Sequence, residues 1–304
     1  MQVKTLSTSR YNNTNTVFST TKAIFGYGTT GTAVSITNLV SNTGVVATDT
    51  TGVGSARDNL AAAGYGTDKA IFGYGYTTGN VSLTNLVSNT GVVATDTTGV
   101  GTARRSLTAS TYGNDKAIFG YGYTTGNVSI TNLVSNTGVV ATDTTGVGTA
   151  RYGPAAAKYG GDKAIFGYGT NGSSNVSIVN LVSNVGVVAN DTTGIGTARE
   201  TLSATGYGGD KAIFGYGYTS AVVSITNLVS NTGIVANDTT GVGTARWMLA
   251  AAVYGSDKAI FGYGNTGAVV SITNLVSNTG VVATDTTGVG TARRTLAAAG
   301  YSIT

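Results

Sequence analysis

The chain has 304 residues and a formal net charge of +4, and only 10% of its residues are charged, against a usual share of about 25%. It contains no cysteine and no histidine, which excludes disulfides, cysteine–histidine metal sites, thiol nucleophiles and histidine-based acid–base catalysis. With 46 glycines and one proline, the composition is typical of a turn-rich β protein and unlike that of a disordered chain.

The first 21 residues precede the regular part of the chain. They contain no apolar segment of the kind that a signal peptide carries, so we expect none. Arg10 stands 12 residues before Lys22, a spacing that recurs in the later repeats, and residues 1–21 are interpreted as a degenerate lead-in copy. Because no stretch approaches about 18 apolar residues, we expect no insertion into a membrane.

Six copies of one sequence pattern follow. They begin near residues 22, 69, 116, 163, 211 and 258, at steps of 47 residues with a single step of 48. A fixed period of roughly 20 to 50 residues marks a solenoid, a propeller or another repeat array. Since one such repeat cannot bury a core alone, residues 1–304 are predicted to form a single domain.

Each repeat predicts four short strands, as the second copy illustrates. The first runs from Leu60 to Tyr65, and the second spans Lys69–Tyr74. The third, Val81–Leu86, alternates apolar and polar residues, and a turn leads to the fourth, Val92–Thr95. The pattern predicts an all-β fold: a six-bladed β-propeller of four-stranded antiparallel blades, its ring closed by the N- and C-terminal segments.

The first strand is rich in alanine and glycine, which suits the innermost place, where blades converge. For the first blade this strand can come from either chain end, because Leu296–Tyr301 and Asn15–Thr20 compete for it. An open solenoid or fibre is the alternative architecture, although its two ends would leave strand edges exposed.

The repeat combines a basic residue, a small-residue strand, a strand ending in glycines, a valine-rich strand and a fourth strand. Running from GTAR through KAIFGYG and VSITNL to VVATD, this order resembles the kelch repeat over Arg10 to Tyr301. A tyrosine separates the two glycines here, and Leu86 and Val92 replace the usual aromatic residues of the third and fourth strands. The resemblance implies a propeller that interacts with other proteins.

The amino-acid sequence of the repeat is also similar to repeats in predicted virion structural proteins of marine bacteriophages. That similarity implies a particle-associated protein, with a virion or extracellular location. Other virion proteins are then expected partners.

The differences between repeats gather at two positions, whereas the segment SNTGVVATDTTGVGTAR barely changes. One is the residue pair after the arginine that all repeats share (Arg104 in the second copy), and the other is the loop after FGYG. In an up-and-down four-stranded blade both lie on the same face, and loops on a rigid scaffold often carry binding. The alternative is free drift of exposed loops. The candidate ligand-binding residues of this rim are Asp58, Asn59, Arg105, Ser106, Tyr152, Glu200, Trp247, Met248 and Arg294.

The arginine before each pair is a second candidate site. A guanidinium suits a carboxylate or phosphate, so a ring of arginines at the same rim can meet an acidic ligand. Alternatively, each arginine bonds backbone carbonyls or a nearby aspartate and joins blade to blade. The six residues are Arg57, Arg104, Arg151, Arg199, Arg246 and Arg293.

No catalytic set stands out in the sequence. Its serines and threonines have no histidine to activate them, and the sequence at 96–99 has too few acidic residues for a calcium-binding EF-hand loop. We therefore expect no enzyme, no metal and no cofactor. Because the charges are spread over the repeats and form no basic run, nucleic acid is not an expected partner.

The leading hypothesis is a non-enzymatic binding module, a phage virion-associated protein that recognises a host surface glycan or protein through the variable loop face. The first alternative is a purely structural virion component, such as a decoration or fibre segment. The second is a kelch-like protein-interaction propeller.

Overall fold

The structure, a computed structural model, describes residues 21–302. The predicted lead-in copy, including Asn15–Thr20, lies outside the described residues apart from Thr21. Within the described range, 18 β-strands form six three-stranded antiparallel sheets, so the chain has the repeated, propeller-like all-β architecture that its period predicts. Among the same residues, no helix is long and apolar enough to cross a membrane.

Every sheet contains a first, a second and a third strand in the order of the repeat. The first strands are β3 (Ala61–Tyr65), β6 (Thr108–Tyr112), β9 (Ala155–Tyr159), β12 (Ser203–Tyr207), β15 (Ala250–Tyr254) and β18 (Ala297–Ser302). The second strands are β1 (Thr21–Gly26), β4 (Lys69–Tyr76), β7 (Lys116–Gly120), β10 (Lys163–Gly167), β13 (Lys211–Gly215) and β16 (Lys258–Asn265). The third strands are β2 (Thr37–Val40), β5 (Asn80–Val87), β8 (Thr131–Val134), β11 (Val179–Val182), β14 (Thr226–Val229) and β17 (Val269–Val276).

The second strand is central in every sheet. Five sheets use consecutive strands, such as β3-β4-β5, whereas the sixth has the order β18-β1-β2. In that sheet Thr21 lies opposite Ser302 and Gly26 lies opposite Ala297. The C-terminal strand therefore takes the place beside β1 for which the two chain ends were expected to compete.

The predicted fourth strand, Val92–Thr95, is not a continuous strand. Two isolated bridges join β5 to Val93 and Thr97 in this repeat. Between them the Asn85 side chain enters the ladder, and its Nδ2 donates to the carbonyl oxygen of Ala94 at 2.9 Å. Ala94 N–H in turn donates to Leu86 O at 2.8 Å, so the fourth segment is held by separate bonds and bridges and not by a continuous ladder.

The core lies between neighbouring sheets. Phenylalanines of the second strands, such as Phe72, are completely buried. Phe119 packs against Gly73 of the adjacent sheet, where an added Cβ would come within 2.6 Å of its ring, and Phe25 packs against Gly262 in the same way. Since each hydrophobic cluster draws on two sheets, one repeat has no complete core of its own.

The alanine-rich first strands surround a narrow cavity. Residues from all six, among them Ala61, Ala155 and Ala297, line a volume of about 120 Å³. Small side chains suit this place because residues of all six strands lie around it, and longer residues of the same strands, such as Lys158 and Val253, line the other end.

Candidate functional site

The two positions that vary among the repeats lie side by side at one end of the sheets. Asp58 N–H donates to Tyr76 O at 3.0 Å, and Tyr76 N–H donates to Asp58 O at 2.8 Å. Equivalent bridges join the other repeats, as the strand order predicts. The bridged residues, which we call the variable rim, are Asp58–Tyr76, Arg105–Tyr123, Tyr152–Thr170, Glu200–Tyr218, Trp247–Asn265 and Arg294–Thr29.

A circuit of backbone hydrogen bonds links the neighbouring parts of the rim. The second residue of the pair that follows each buried arginine, such as Asn59 after Arg57, has a left-handed φ, between 50° and 62° in all six repeats. Its N–H donates to the carbonyl oxygen of the equivalent residue in the neighbouring repeat. The bonds run Ser106→Asn59, Gly153→Ser106, Thr201→Gly153, Met248→Thr201, Thr295→Met248 and Asn59→Thr295, at 2.8–2.9 Å. Five of these six residues are not glycine, so the circuit holds strained backbone.

Asn59, Ser106 and Met248, which were expected to contact a ligand, contribute their backbones to this circuit. The Asn59 side chain also donates to Asp58 Oδ1 at 3.1 Å, and Ser106 Oγ donates to Asn59 Oδ1 at 3.3 Å. Together with Leu60 and its equivalents, they line a mouth of about 80 Å³ at the end of the central cavity. Their part in the structure is to shape the mouth around which the rim stands.

Arg105 is held between aromatic rings of the rim. Its guanidinium carbon lies 4.7 Å from the centre of the Tyr76 ring and 5.2 Å from that of Tyr123. Tyr123 in turn meets Tyr152 edge to face, with ring centres 5.8 Å apart. The stack therefore joins three successive repeats and orients the arginine.

A second aromatic pair lies elsewhere on the rim. The rings of Tyr218 and Trp247 have centres 4.9 Å apart and planes 34° apart. Glu200, the backbone bridge partner of Tyr218, is partly buried, and burial raises the pKa of its carboxyl. Burial also raises the pKa of Tyr152, and the negative charge of Glu200 adds to that effect. The rim thus presents flat aromatic surfaces beside a carboxyl group.

Asp58 lies within electrostatic range of two rim arginines. Burial raises the pKa of its carboxyl, whereas Asn59, Arg105 and Arg294 act in the opposite direction. Neither Arg105 nor Arg294 has an ion pair of 4.0 Å or less within residues 21–302. Both guanidiniums therefore retain donors for an incoming group.

The six arginines proposed as an acidic-ligand ring are not at the rim surface. All six are fully buried, and the residues are Arg57, Arg104, Arg151, Arg199, Arg246 and Arg293. Arg104 is typical: its Nε donates to Tyr121 O at 2.9 Å and its Nη2 donates to Asn132 Oδ1 at 2.7 Å. Its guanidinium carbon lies 4.3 Å from the Tyr74 ring centre of the adjacent sheet. These contacts match the alternative in which the arginines join blade to blade, and a ligand has no access to them.

An aspartate completes each arginine cluster. Asp96 lies 3.8 Å from Arg57 and accepts from Asn85 Nδ2 at 2.9 Å and from Ser55 Oγ at 2.6 Å. Burial acts to raise the pKa of Asp96, but the hydrogen bonds and Arg57 outweigh it and the pKa is lowered. Because Ser55 belongs to the connection from the preceding repeat, the aspartate joins consecutive repeats.

Three rim tyrosines were not singled out from the sequence. Tyr76, Tyr123 and Tyr218 begin the variable loops, but only the structure shows that each stacks on the rim residue of the next repeat. The available signal was their occurrence in three of six loops at one position, where Thr29, Thr170 and Asn265 stand in the others.

Within the described range, no group of three or more acidic side chains could hold a metal ion. The fold and rim define a repeated all-β protein of propeller-like architecture with unlike side chains around one cavity mouth. A scan against protein-family models finds no match, and neither does a search of curated proteins.

Proposed function

We propose that the chain is a closed six-bladed β-propeller, with the bridged fourth segment as the outer strand of each blade. Contacts between the two ends of the chain support closure. Besides the β18–β1 pairing, Asn59 N–H donates to Thr295 O at 2.9 Å and Thr291 Oγ1 donates to Asp49 Oδ2 at 2.5 Å. The latter bond repeats the Ser55–Asp96 bond, so the junction of the ends resembles a junction between consecutive repeats.

The protein acts, in this proposal, as a non-enzymatic binding module whose ligand meets the variable rim. The observation that carries it is the place of the residues that follow the shared arginine: they range over acidic, basic and aromatic types and stand around one cavity mouth, whereas the arginine itself is buried. Such variation on a rigid frame is how many binding surfaces are built. From the resemblance of its repeats, we assign the protein to phage virions, with a host surface glycan or protein as ligand.

Binding of the purified protein to marine bacterial cells and to a glycan array tests this function. In the test variant the six rim residues that follow the buried arginines all become serine: Asp58, Arg105, Tyr152, Glu200, Trp247 and Arg294. The next residue of each pair stays unchanged, because it holds the backbone circuit. We expect the natural protein to bind and the folded serine variant to lose binding. Equal binding by both proteins contradicts a site at the rim.

A second candidate, a structural virion component, is favoured by one observation. Each repeat exposes a β-branched apolar side chain after the turn between the third and fourth segments. These residues are between 64% and 67% exposed, and they are Val45, Val92, Val139, Val187, Ile234 and Val281. Their repetition without a role in the core suits contacts with other virion proteins.

Replacing these six residues by threonine provides the reciprocal experiment. Threonine keeps a β-branched side chain and replaces part of the apolar surface by a hydroxyl group. If the protein serves only assembly, this variant loses incorporation into particles while the serine variant at the rim retains full function. The binding-module proposal expects the serine variant to lose attachment to cells.

A further inference from the structure

Four rim residues lie next to one another around the cavity mouth. The circuit bonds Thr295→Met248, Asn59→Thr295 and Ser106→Asn59 connect their four repeats in order. The residues before these positions, in the same order, are Trp247, Arg294, Asp58 and Arg105. We call them the arginine arc. In this order one arginine stands on each side of the Asp58 carboxylate, and the Trp247 indole is at one end.

The two arginines of the arc differ from the buried ones in having donors to spare. Arg104 directs its guanidinium to a carbonyl, an asparagine and the Thr102 backbone. By contrast, within the described part of the chain the Arg105 and Arg294 side chains have no hydrogen bond or ion pair. Tyr76 and Tyr123 contact Arg105 as ring–cation partners, and such contacts leave its in-plane N–H groups available. A guanidinium held in this way is suited to bidentate binding of a carboxylate.

Asp58 adds information about the charge of the ligand. Asp58 stands between the two arginines in the order of the circuit, and both act electrostatically on its carboxyl. The arc alone carries one net positive charge, which Glu200 balances over the whole rim, and this is far less than the row of cations that binds a nucleic-acid backbone. Removal of the Asp58 charge should therefore favour an anion and disfavour a cation.

Trp247 supplies a different kind of contact at the end of the arc. Its ring is supported by Tyr218 at 4.9 Å, which limits its movement and leaves its partly exposed surface for a ligand. Aromatic rings provide flat apolar area with little loss of side-chain freedom. The C–H face of a pyranose ring fits such a surface, and the mouth beside it, of about 80 Å³, is too small for a folded partner to enter.

We propose that the rim binds an acidic saccharide, a pyranose chain carrying carboxylate groups. Arg105 and Arg294 supply the donors for its carboxylates, and Trp247 packs against a sugar ring. This inference rests on the proposed function, because it names the ligand class of the same rim.

Titration calorimetry with oligomers of galacturonic acid, beside neutral oligomers of galactose of equal length, tests the ligand class. The acidic oligomer should bind and the neutral one should bind at least about tenfold more weakly, because a hydrogen bond to a charged group contributes about 1.5–3 kcal/mol. Arg105→Gln and Arg294→Gln should each weaken acidic binding by a similar factor. Asp58→Asn should strengthen it, and higher salt should weaken it.

Lys69→Gln is the matched control for loss of one positive charge. Lys69 is partly exposed and pairs with Asp68 at 2.8 Å, at the strand end remote from the rim, so its replacement should leave binding unchanged. Circular dichroism verifies that each variant is folded. Polyglutamate, an acidic ligand without sugar rings, serves as the third probe and should bind weakly and without dependence on Trp247.

The outcomes separate the inference from the proposed function. Equal binding of acidic and neutral sugars, no binding of either, or polyglutamate binding equal to that of the acidic sugar overturns the acidic saccharide. Weaker binding after Asp58→Asn overturns it as well. If cells are still bound by the natural protein but not by the serine variant, the rim remains the binding site for another ligand. If the serine variant binds cells as well as the natural protein, the proposed function fails too.

Discussion

Replacement of Arg104 by methionine tests the part that the buried arginines play in joining the blades. The side chain is fully buried, and it supplies hydrogen bonds to Tyr121 O at 2.9 Å and to Asn132 Oδ1 at 2.7 Å. Methionine fills much of the aliphatic space but leaves both acceptors buried without these donors. Because removing one partner from a buried charged network costs about 3–5 kcal/mol, we expect the free energy of unfolding to fall by that amount.

Arg151→Met is a matched comparison within the same chain. Arg151 occupies the equivalent place, with Nη1 donating to Thr149 O at 3.1 Å and Nη2 donating to Asn180 Oδ1 at 2.7 Å. Its buried Nε, however, has no hydrogen-bond partner within residues 21–302. A hydrogen bond involving a charged group contributes about 1.5–3 kcal/mol. Arg151→Met should therefore be less destabilising than Arg104→Met by about this amount.

Urea unfolding at pH 7 measures both variants, because urea is uncharged and does not screen the network. Far-UV circular dichroism and the fluorescence of Trp247, the only tryptophan, provide two independent probes. If the slope of the unfolding free energy against urea concentration is the same in both variants, a change in the midpoint reports a change in stability. Equal losses in the two variants, or a smaller loss in Arg104→Met, would refute the assignment of energy to the Nε bond.

Three further expectations concern packing and pH. Gly73→Ala should lower the free energy of unfolding by about 1–3 kcal/mol, because an added Cβ meets the Phe119 ring. The control Gly79→Ala, with open space around the added Cβ, should change the free energy of unfolding by less than about 0.5 kcal/mol. Thermal melts compare the two variants. Glu200→Gln should raise Tm at pH 7, because burial raises the pKa of the Glu200 carboxyl and the ionised carboxylate therefore destabilises the folded state. The gain in Tm should vanish below about pH 4, where the carboxyl is protonated in the folded and unfolded states. An unchanged Tm at pH 7 contradicts this reasoning. For Asp96, hydrogen bonds outweigh the effect of burial and the pKa is lowered. The carboxylate therefore stabilises the folded state above its unfolded pKa of about 4, and this stabilisation is lost as the pH falls through the lower folded pKa. Asp96→Asn should lower Tm at pH 7 and reduce the difference between Tm at acidic pH and Tm at neutral pH.

The repeat spacing and residue pattern predict most of the architecture. The 47-residue step predicts six copies, and six equivalent sheets are present. Turn residues and β-branched runs predict the first three strands to within one or two residues in the second copy. The same strand order correctly predicts that Asp58 and the loop beginning at Tyr76 meet, because the bridge between them follows from the up-and-down path of the chain.

Side-chain partners between repeats could not be predicted in this way. A residue common to all repeats can be a ligand ring or a structural lock, and the sequence pattern of Arg104 is the same in both cases. The choice depends on Asn132 and the carbonyl of Tyr121 lying within hydrogen-bond reach, which is a matter of distance between segments. The same limit applies to the fourth strand, where the Asn85 side-chain amide donates to the Ala94 carbonyl oxygen.

The rim can differ from repeat to repeat because its side chains contribute little to the bonds that hold it. Trp247 gives its N–H and carbonyl to the bridge with Asn265, and Met248 gives its own to the circuit. Neither set of bonds depends on side-chain identity, although the left-handed φ of Met248 carries a strain of about 1–3 kcal/mol. Exchange of Trp247 or Arg294 therefore changes the chemistry offered to a ligand while the frame that positions it stays the same.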